Sequence, residues 1–340
     1  MKNRPLLSLF IISQLVTLSS PALSSDYTTL NMDGVYLKYA LLAPNNTQGH
    51  DVNIFEVYLP RMPERPRSLI LGRLNGTEPD ELVSLVVRGD VFLTFRILSI
   101  QNETALVNTT LELTNVWIYN RYYLRRIVLS TILTLDLKRM QYIDDNGSLL
   151  GRPTFLVSPV DLPPKNSLLV NMSGVKKLGA ITRDILVGNV SYSPLEDAKL
   201  HTYYRTFEPP YIYISSSQVP FYWKLSDGYY STTIWNYYVY DFDTGVLITG
   251  LFDVTPELLA LGVINGDSYD YLAAKKMDEL QKKGIRHELW NPGFNLYDTN
   301  IKFPETSSTA TPSTGMRYFF TVSLVVLLLT AISPWRWRRG

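Results

Sequence analysis

Apolar and polar positions alternate along three long stretches in the first half of the chain. Thr94 and Arg96, for example, alternate with Phe95 and Ile97. A period of two over such lengths predicts half-buried antiparallel strands, and β-branched and aromatic residues favour the same structure. We therefore interpret the region from Leu30 to about Tyr240 as mostly strands, the clearest being Val91 to Ile100, Leu106 to Tyr119 and Leu124 to Leu137.

Short polar turn signals separate these strands. They place Asn or Asp close before Gly, which suits left-handed backbone conformations, at Asn75-Gly76, Asp145-Asn146-Gly147, Asp227-Gly228 and Asp243-Thr244-Gly245. The prolines between Leu59 and Arg67 predict an irregular or extended loop, and those from Pro159 to Pro164 predict a second break. Because no linker is evident between them, one elongated β-rich body and two β-rich regions, 25–155 and 156–303, remain open alternatives.

The helical signal is confined to the last third of the chain. Thr255-Pro256 predicts an N-cap and the first position of a short helix. Asp267 or Ser268 then predicts the cap of a second, amphipathic helix over 267–283. A closing strand from Phe294 to Phe303 returns the chain to the sheet. The predicted fold is mainly β (α+β), an antiparallel curved sheet or sandwich with one or two late helices.

Both ends of the chain carry export or membrane signals. Two basic residues, a short apolar run and small residues predict a cleavable signal peptide over 1–24. An uncharged apolar run with aromatic flanks predicts a transmembrane helix over 316–335, and the arginines of 336–340 predict a basic cytoplasmic tail. A Ser/Thr/Pro-rich stalk, 304–315, precedes it. These signals predict a single-pass type I protein of the cell membrane, mostly extracellular; removal of the tail by a transpeptidase remains an alternative.

Charge and cysteine content narrow the function. Lys and Arg number 32 against 31 Asp and Glu, a balance that excludes the basic stripe typical of nucleic-acid binding. Cysteine is absent, which indicates a surface that does not rely on disulfides. An N-glycosylated exterior is predicted by seven N-x-[ST] sequons, at Asn45, Asn75, Asn102, Asn108, Asn146, Asn171 and Asn189.

Residues suited to catalysis are few. The three histidines have no metal-ligand partner at a suitable spacing, so the sequence predicts neither a metal nor another cofactor. Asp243-Thr244-Gly245 resembles the catalytic loop of pepsin-like aspartic proteases, and Asp241 with Asp243 resembles the start of the haloacid dehalogenase-like phosphatase motif. Protease chemistry needs two carboxylates that share a proton, and no second such loop is present. Asp241 and Asp243 are the catalytic candidates, against the simpler interpretation that they form a hairpin turn.

Aromatic residues are concentrated between Tyr203 and Tyr240. Tyr and Trp combine an apolar face with a polar edge, which suits stacking against sugars or protein partners as well as packing in the core of a sheet. Neighbouring residues on a strand face opposite sides, so part of this set must be buried. If one face binds a ligand, we expect it to include Trp223, Tyr230, Trp235 and Tyr237.

Four segments carry a resemblance to other proteins. They are LDLKRMQYIDDNGSLLG, the hairpin YYVYDFDTGVLITG, the late helix and the closing strand LYDTNIKF. Their order resembles that of uncharacterised archaeal secreted, membrane-anchored β-rich surface proteins, and this resemblance implies no activity. The hairpin and late helix are also similar to the curved half-barrel of lipoprotein-carrier folds.

The function expected from these patterns is that of a cell-surface type I membrane glycoprotein acting as a structural or binding module, not an enzyme. Its expected partners are the membrane and either a surface polysaccharide or another surface protein. Two alternatives stay open. One is a membrane-tethered hydrolase using Asp241 and Asp243, and the other is a lipoprotein-carrier-like protein that binds an apolar ligand.

Overall fold

Antiparallel strands dominate the computed structural model, which describes residues 33–43, 51–74, 82–225 and 228–304. The first ten strands are β1 Tyr36–Leu41, β2 Asn53–Tyr58, β3 Leu82–Val87, β4 Val91–Gln101, β5 Thr104–Ile118, β6 Tyr122–Asp136, β7 Gln141–Ile143, β8 Leu149–Gly151, β9 Leu168–Val170 and β10 Ile185–Tyr192. The other ten are β11 Lys199–His201, β12 Thr206–Phe207, β13 Tyr211–Ser216, β14 Val219–Lys224, β15 Tyr229–Ile234, β16 Asn236–Asp241, β17 Leu247–Phe252, β18 Val263–Asp267, β19 Glu288–Trp290 and β20 Phe294–Thr299. The prediction of a mainly β, antiparallel fold is confirmed.

The main sheet closes on itself. Its order is β18-β2-β3-β5-β4-β1-β20-β17-β16-β13-β10-β9-β8-β7-β6, and a further pairing of β5 with β6 completes a closed barrel of twelve strands. Where the sequence predicted a curved sheet or a sandwich, the structure has a closed barrel. The first and last strands of the described chain meet in it, because β1 pairs with β20. All described residues up to Phe303 belong to one unit, with no separation near residue 155.

Strand β5 is the point at which the barrel branches. One edge pairs with β6 over its full length. The other edge pairs first with β4, up to Leu113, and then with β3 from Val116 onward. Asn115 lies between these two stretches with a φ of 52°. Asn tolerates this left-handed conformation better than most residues, so the strand can change its pairing partner at Asn115. The strands β3, β2 and β18 form a three-stranded extension of the barrel from this point.

Large apolar side chains fill the inside of the barrel. Alternate residues of β1 point inward, and Tyr39 meets Phe95 edge-to-face at 5.9 Å between ring centroids. Phe95 in turn packs on Phe155 at 4.9 Å. On the adjoining strands β17 and β20, Phe252 stacks on Phe294 at 4.8 Å. Aromatic pairs of this kind contribute about 0.5–1.5 kcal/mol each beyond their burial, so a chain without disulfides has a substantial core to stabilise it.

The two late helices form where the sequence predicts them, with one shifted cap. In α3, Pro256–Ala260, the Thr255 hydroxyl accepts a hydrogen bond from the Leu258 N–H as expected of an N-cap. The second late helix, α4 Tyr271–Lys282, is capped by Asp270 and not by Asp267 or Ser268. Its predicted start is wrong because β18 continues to Asp267 and pairs with β2.

Two further helices were not expected. The proline-rich segment predicted as a loop contains a 3-10 turn, Leu59–Arg61, and helix α1, Glu64–Leu71. Pro66 fits in this helix because it occupies the first turn, where backbone N–H groups have no intrahelical partner. A four-residue helix α2, Ser173–Lys176, follows later in the chain.

None of the helices in the described ranges is both long and apolar enough to span a membrane. The predicted signal peptide 1–24, the transmembrane helix 316–335 and the tail 336–340 lie outside the described residues, as does the stalk beyond its first residue.

Candidate functional site

The two catalytic candidates lie in the turn between β16 and β17. The Thr244 N–H and hydroxyl both donate to Asp241 Oδ2, at 2.9 and 2.6 Å, and Gly245 takes a φ of 68°. Asp243 is exposed beside them. Burial raises the pKa of Asp241, while its bonds to Thr244 act in the opposite direction. The carboxylate of Asp241 thus closes the hairpin turn in which both aspartates lie.

Trp223 and Tyr230 lie on the two-stranded sheet formed by β14 and β15, where they are directly paired. Only 2% of Trp223 is exposed, because its ring packs on Phe221 at 6.3 Å and on Tyr58 at 5.5 Å. Tyr230 is half-buried against Phe221. Trp223 is therefore a core residue with no face to offer a ligand, which corrects its selection as a binding residue.

Trp235 and Tyr237 form a ladder of rings on the outer face of the barrel. Trp235 stacks on Tyr237 at 5.9 Å and 13°, and Tyr237 stacks on Tyr213 at 5.9 Å and 20°. The Tyr213 hydroxyl donates to Asp197 at 2.8 Å. All three rings are half-buried. Trp235 and Tyr237 lie on one face together with Tyr213, and mutual stacking already uses much of the surface of these rings.

A second group of rings, which we call the aromatic band, forms a continuous row on another part of the outer surface. Its members are His201, Trp290, Tyr203, Tyr297 and Phe92. Successive ring centroids along this row lie 5.7, 5.2, 6.1 and 5.3 Å apart. Tyr297 is 39% exposed and the other four residues are half-buried, so each member of the band keeps part of its surface accessible to solvent.

Two lysines lie directly over the aromatic band. Lys276 Nζ is 4.0 Å from the Trp290 ring centroid and 4.6 Å from that of Tyr203. Lys38 Nζ is 4.0 Å from the Phe92 centroid and 5.3 Å from that of Tyr297. Burial lowers the pKa of Lys276. The band therefore presents aromatic rings together with ammonium groups, one of which is partly desolvated.

Asp270 lies beneath the band and fixes its geometry. Its carboxylate accepts hydrogen bonds from the Ala273 N–H at 2.8 Å, from the Tyr203 hydroxyl at 2.8 and 2.9 Å, and from Asn295 Nδ2 at 3.2 Å. The residue is fully buried, and this burial raises its pKa to about 6 although each of these bonds acts to lower it. One side chain thus ties the start of α4, the loop of Tyr203 and strand β20 together.

The other end of the band is held by a second polar group. His201 Nε2 lies 2.9 Å from Glu288 Oε2, and His201 Nδ1 lies 2.8 Å from Thr206 Oγ1. The bond to His201 lowers the pKa of Glu288. Both ring nitrogens of His201 are therefore engaged within the protein, which orients its ring parallel to Trp290 at 15°.

A second fully buried carboxylate, Glu257, belongs to the core. It accepts hydrogen bonds from the Thr154 N–H at 2.8 Å and from the Thr154 hydroxyl at 2.7 Å. Burial raises its pKa. The Tyr142 hydroxyl is close enough for the carboxylate to help raise its pKa, but the two do not form a well-aligned hydrogen bond. With no access to solvent, Glu257 links α3 to the buried segment at Thr154 and is not a reactive group.

The sequons differ in accessibility. Asn102, Asn146 and Asn189 are exposed and Asn108 is partly exposed, whereas Asn171 Nδ2 donates to the Leu149 carbonyl at 2.7 Å. The remaining two, Asn45 and Asn75, lie outside the described residues. Glycosylation at the exposed sites thus stays a prediction with suitable geometry.

The sequence did not single out the band as a site. Phe92, Tyr203 and the pair Trp290 and Tyr297 come from three distant parts of the chain, and no local pattern links them. The one available signal was that Phe92 occupies a position expected to face outward on a strand. Tyr203 was noticed only as part of the general aromatic enrichment.

No group of His, Cys, Asp and Glu side chains within the described ranges is arranged to hold a metal ion. No protein-family model matches the sequence, and comparisons with curated proteins and with solved structures found no match either.

Proposed function

We propose that this protein is a cell-surface binding module, held at the membrane by its C-terminal segment, that contacts its ligand through the aromatic band. The observation that supports this most directly is the continuous row of five rings with two ammonium groups on the outside of the barrel. Rings exposed in a row suit stacking against sugars or against a protein partner. The predicted export signal, the predicted anchor and the sequons support the proposed surface location.

The rigidity of the band supports a binding role. Tyr203 is fixed by Asp270, and His201 is fixed by Glu288 and Thr206. A site whose side chains are already ordered loses less conformational entropy on binding. An aromatic surface held in this way is better suited to recognition than a set of freely rotating side chains.

The two alternatives receive less support. The hydrolase needs Asp241 and Asp243 to act together, and Asp241 is instead bound to Thr244 within a hairpin turn. The apolar-ligand carrier needs a large cavity. The cavity near Met140 and Tyr240 has a volume of about 10 Å³, about enough for one water molecule, so this particular cavity does not hold a lipid.

Binding can be tested with the full-length chain in mild detergent on an array of neutral and acidic oligosaccharides. We expect Trp290→Ala to weaken binding about tenfold, since one aromatic contact contributes up to about 1.5 kcal/mol. Trp117→Ala is the matched control, because Trp117 is also half-buried but lies beside Arg88, outside the band. Equal affinities of wild type and Trp290→Ala for every bound sugar would contradict the proposal.

The surface location is tested separately on intact cells. A membrane-impermeant lysine reagent should label Lys38 peptides before the cells are broken. Labelling that appears only after lysis would rule out an extracellular barrel.

A further inference from the structure

The charges at the aromatic band narrow the class of ligand. Neither Lys38 nor Lys276 has a carboxylate within 4.0 Å among the residues that the structure describes. Both ammonium groups lie over the faces of aromatic rings. A ring stabilises a cation only partly, by about 0.5–2 kcal/mol, so both ammonium groups keep the capacity to bind an anion from solution.

Most acidic groups close to the band are hydrogen-bonded within the protein. Glu288 is bonded to His201, and Asp270 is buried beneath Tyr203 and bonded to it. Asp298 lies opposite Lys38 in the register of β1 and β20, but it accepts a hydrogen bond from the Tyr36 hydroxyl at 2.9 Å. Asp90 accepts one from the Ala43 N–H at 3.0 Å. Glu279, on the same helix as Lys276, acts electrostatically to raise the pKa of Lys276, but the two form no ion pair within 4.0 Å. The two ammonium groups at the band therefore form no direct ion pair with a described residue, although Asp270 and Glu279 act on Lys276 electrostatically from further away.

The positions of the two ammonium groups determine which groups of the protein a ligand contacts first. Each ammonium group lies over two rings, Lys276 over Trp290 and Tyr203 and Lys38 over Phe92 and Tyr297. An approaching molecule therefore encounters positive charge above the ring faces and aromatic edges between the two lysines. Such a surface suits an extended ligand that alternates apolar sugar faces with negative groups.

We propose that the aromatic band binds an acidic polysaccharide, a chain of sugars carrying carboxylate or sulfate groups, with Lys38 and Lys276 pairing with two of its anionic groups. This inference rests on the proposed binding function and specifies its ligand class. The rings supply the contact area, and the lysines distinguish an acidic sugar from a neutral one.

The test uses two matched probes, a hexamer of galacturonic acid and the same hexamer after reduction of its carboxyl groups to alcohols. Affinities are measured for the full-length chain in detergent by calorimetry. We expect the acidic hexamer to bind at least tenfold more tightly at low salt and to lose most of this preference in 0.5 M salt. Lys38→Gln and Lys276→Gln should each reduce its affinity about fivefold and should reduce the affinity for the neutral hexamer by a smaller factor.

Controls separate charge from folding. Lys276→Arg keeps the charge and should retain the preference, whereas Lys282→Gln, at the exposed end of the same helix, should have no effect. Equal binding of both hexamers, still weakened by Trp290→Ala, would overturn the acidic ligand and leave the binding function standing. Binding of neither hexamer, with no sugar retained on the array, would overturn both. Tighter binding of a hexaglutamate peptide than of the acidic hexamer would overturn this inference in favour of an acidic protein partner.

Discussion

Replacing Asp270 with asparagine tests whether burial or hydrogen bonding controls the carboxylate beneath the aromatic band. Asparagine has nearly the same shape and is also a good N-cap residue, so the Ala273 N–H keeps an acceptor. The substitution therefore removes the negative charge without leaving the start of α4 uncapped.

The magnitude follows from the pKa of Asp270, which burial raises from an ordinary 3.8 to about 6. At 1.36 kcal/mol for each unit, this corresponds to about 3 kcal/mol. Below pH 4 the carboxyl is protonated in both the folded and the unfolded chain and contributes nothing. Between pH 4 and 6 the unfolded chain releases its proton while the folded chain keeps it, so the contribution of Asp270 to stability falls as the pH rises. Above pH 6 the full cost is present.

The assay is urea unfolding of the full-length chain, followed by tryptophan fluorescence at pH 4, 5, 6 and 7 and constant ionic strength. We expect the free energy of unfolding of Asp270→Asn to rise relative to wild type by about 3 kcal/mol between pH 4 and 7. Asp278→Asn, which removes an exposed carboxylate from the same helix, should show no such trend. A difference that does not change with pH would refute the reasoning. A difference of opposite sign would mean that the bonds from Ala273, Tyr203 and Asn295 outweigh burial.

Three further predictions concern the core, the hairpin and the surface. Trp223→Ala should reduce the free energy of unfolding by about 3–5 kcal/mol in urea without changing ligand affinity, because it leaves a cavity in the core; a loss below about 1 kcal/mol would contradict its burial. Gly245→Ala should cost at least about 2 kcal/mol by the same measurement, since φ is positive there and a Cβ would collide with a backbone carbonyl; an unchanged midpoint would contradict this. Mass spectrometry of protein from its native cells should find glycans on Asn102, Asn146 and Asn189, and bare asparagine at all three would argue against a glycosylated exterior.

The sequence by itself determined much of the local structure. The period of two in β4, β5 and β6 follows from burial of one strand face, and it marks these strands to within a few residues. Thr255 and Pro256 also mark the start of α3, because capping and the fixed φ of proline act within one turn. The turn after Asp241 is predictable for the same reason.

The tertiary structure decided the features that depend on distant partners. Closure of the barrel requires β5 to pair along both edges, and no pattern within β5 records its second partner. Likewise, α4 begins only after β18 has used Asp267 in pairing, so the nearer cap was displaced to Asp270. The sequence pattern around Trp223 does not distinguish it from an exposed aromatic residue. Its burial depends on contacts with Tyr58, which is distant in the chain, and with Phe221.

The aromatic band also combines features that the sequence determines with contacts that only the tertiary structure decides. Phe92, Tyr203, Trp290 and Tyr297 come from separate segments, which the closed barrel and the packing of α4 bring into one row. The sequence determined that the chain has an unusual number of tyrosines and which of its strands have an outward face. Which rings meet on that face was decided only by the fold, because ring contacts of 5–6 Å depend on strand register across the barrel and not on distance along the chain.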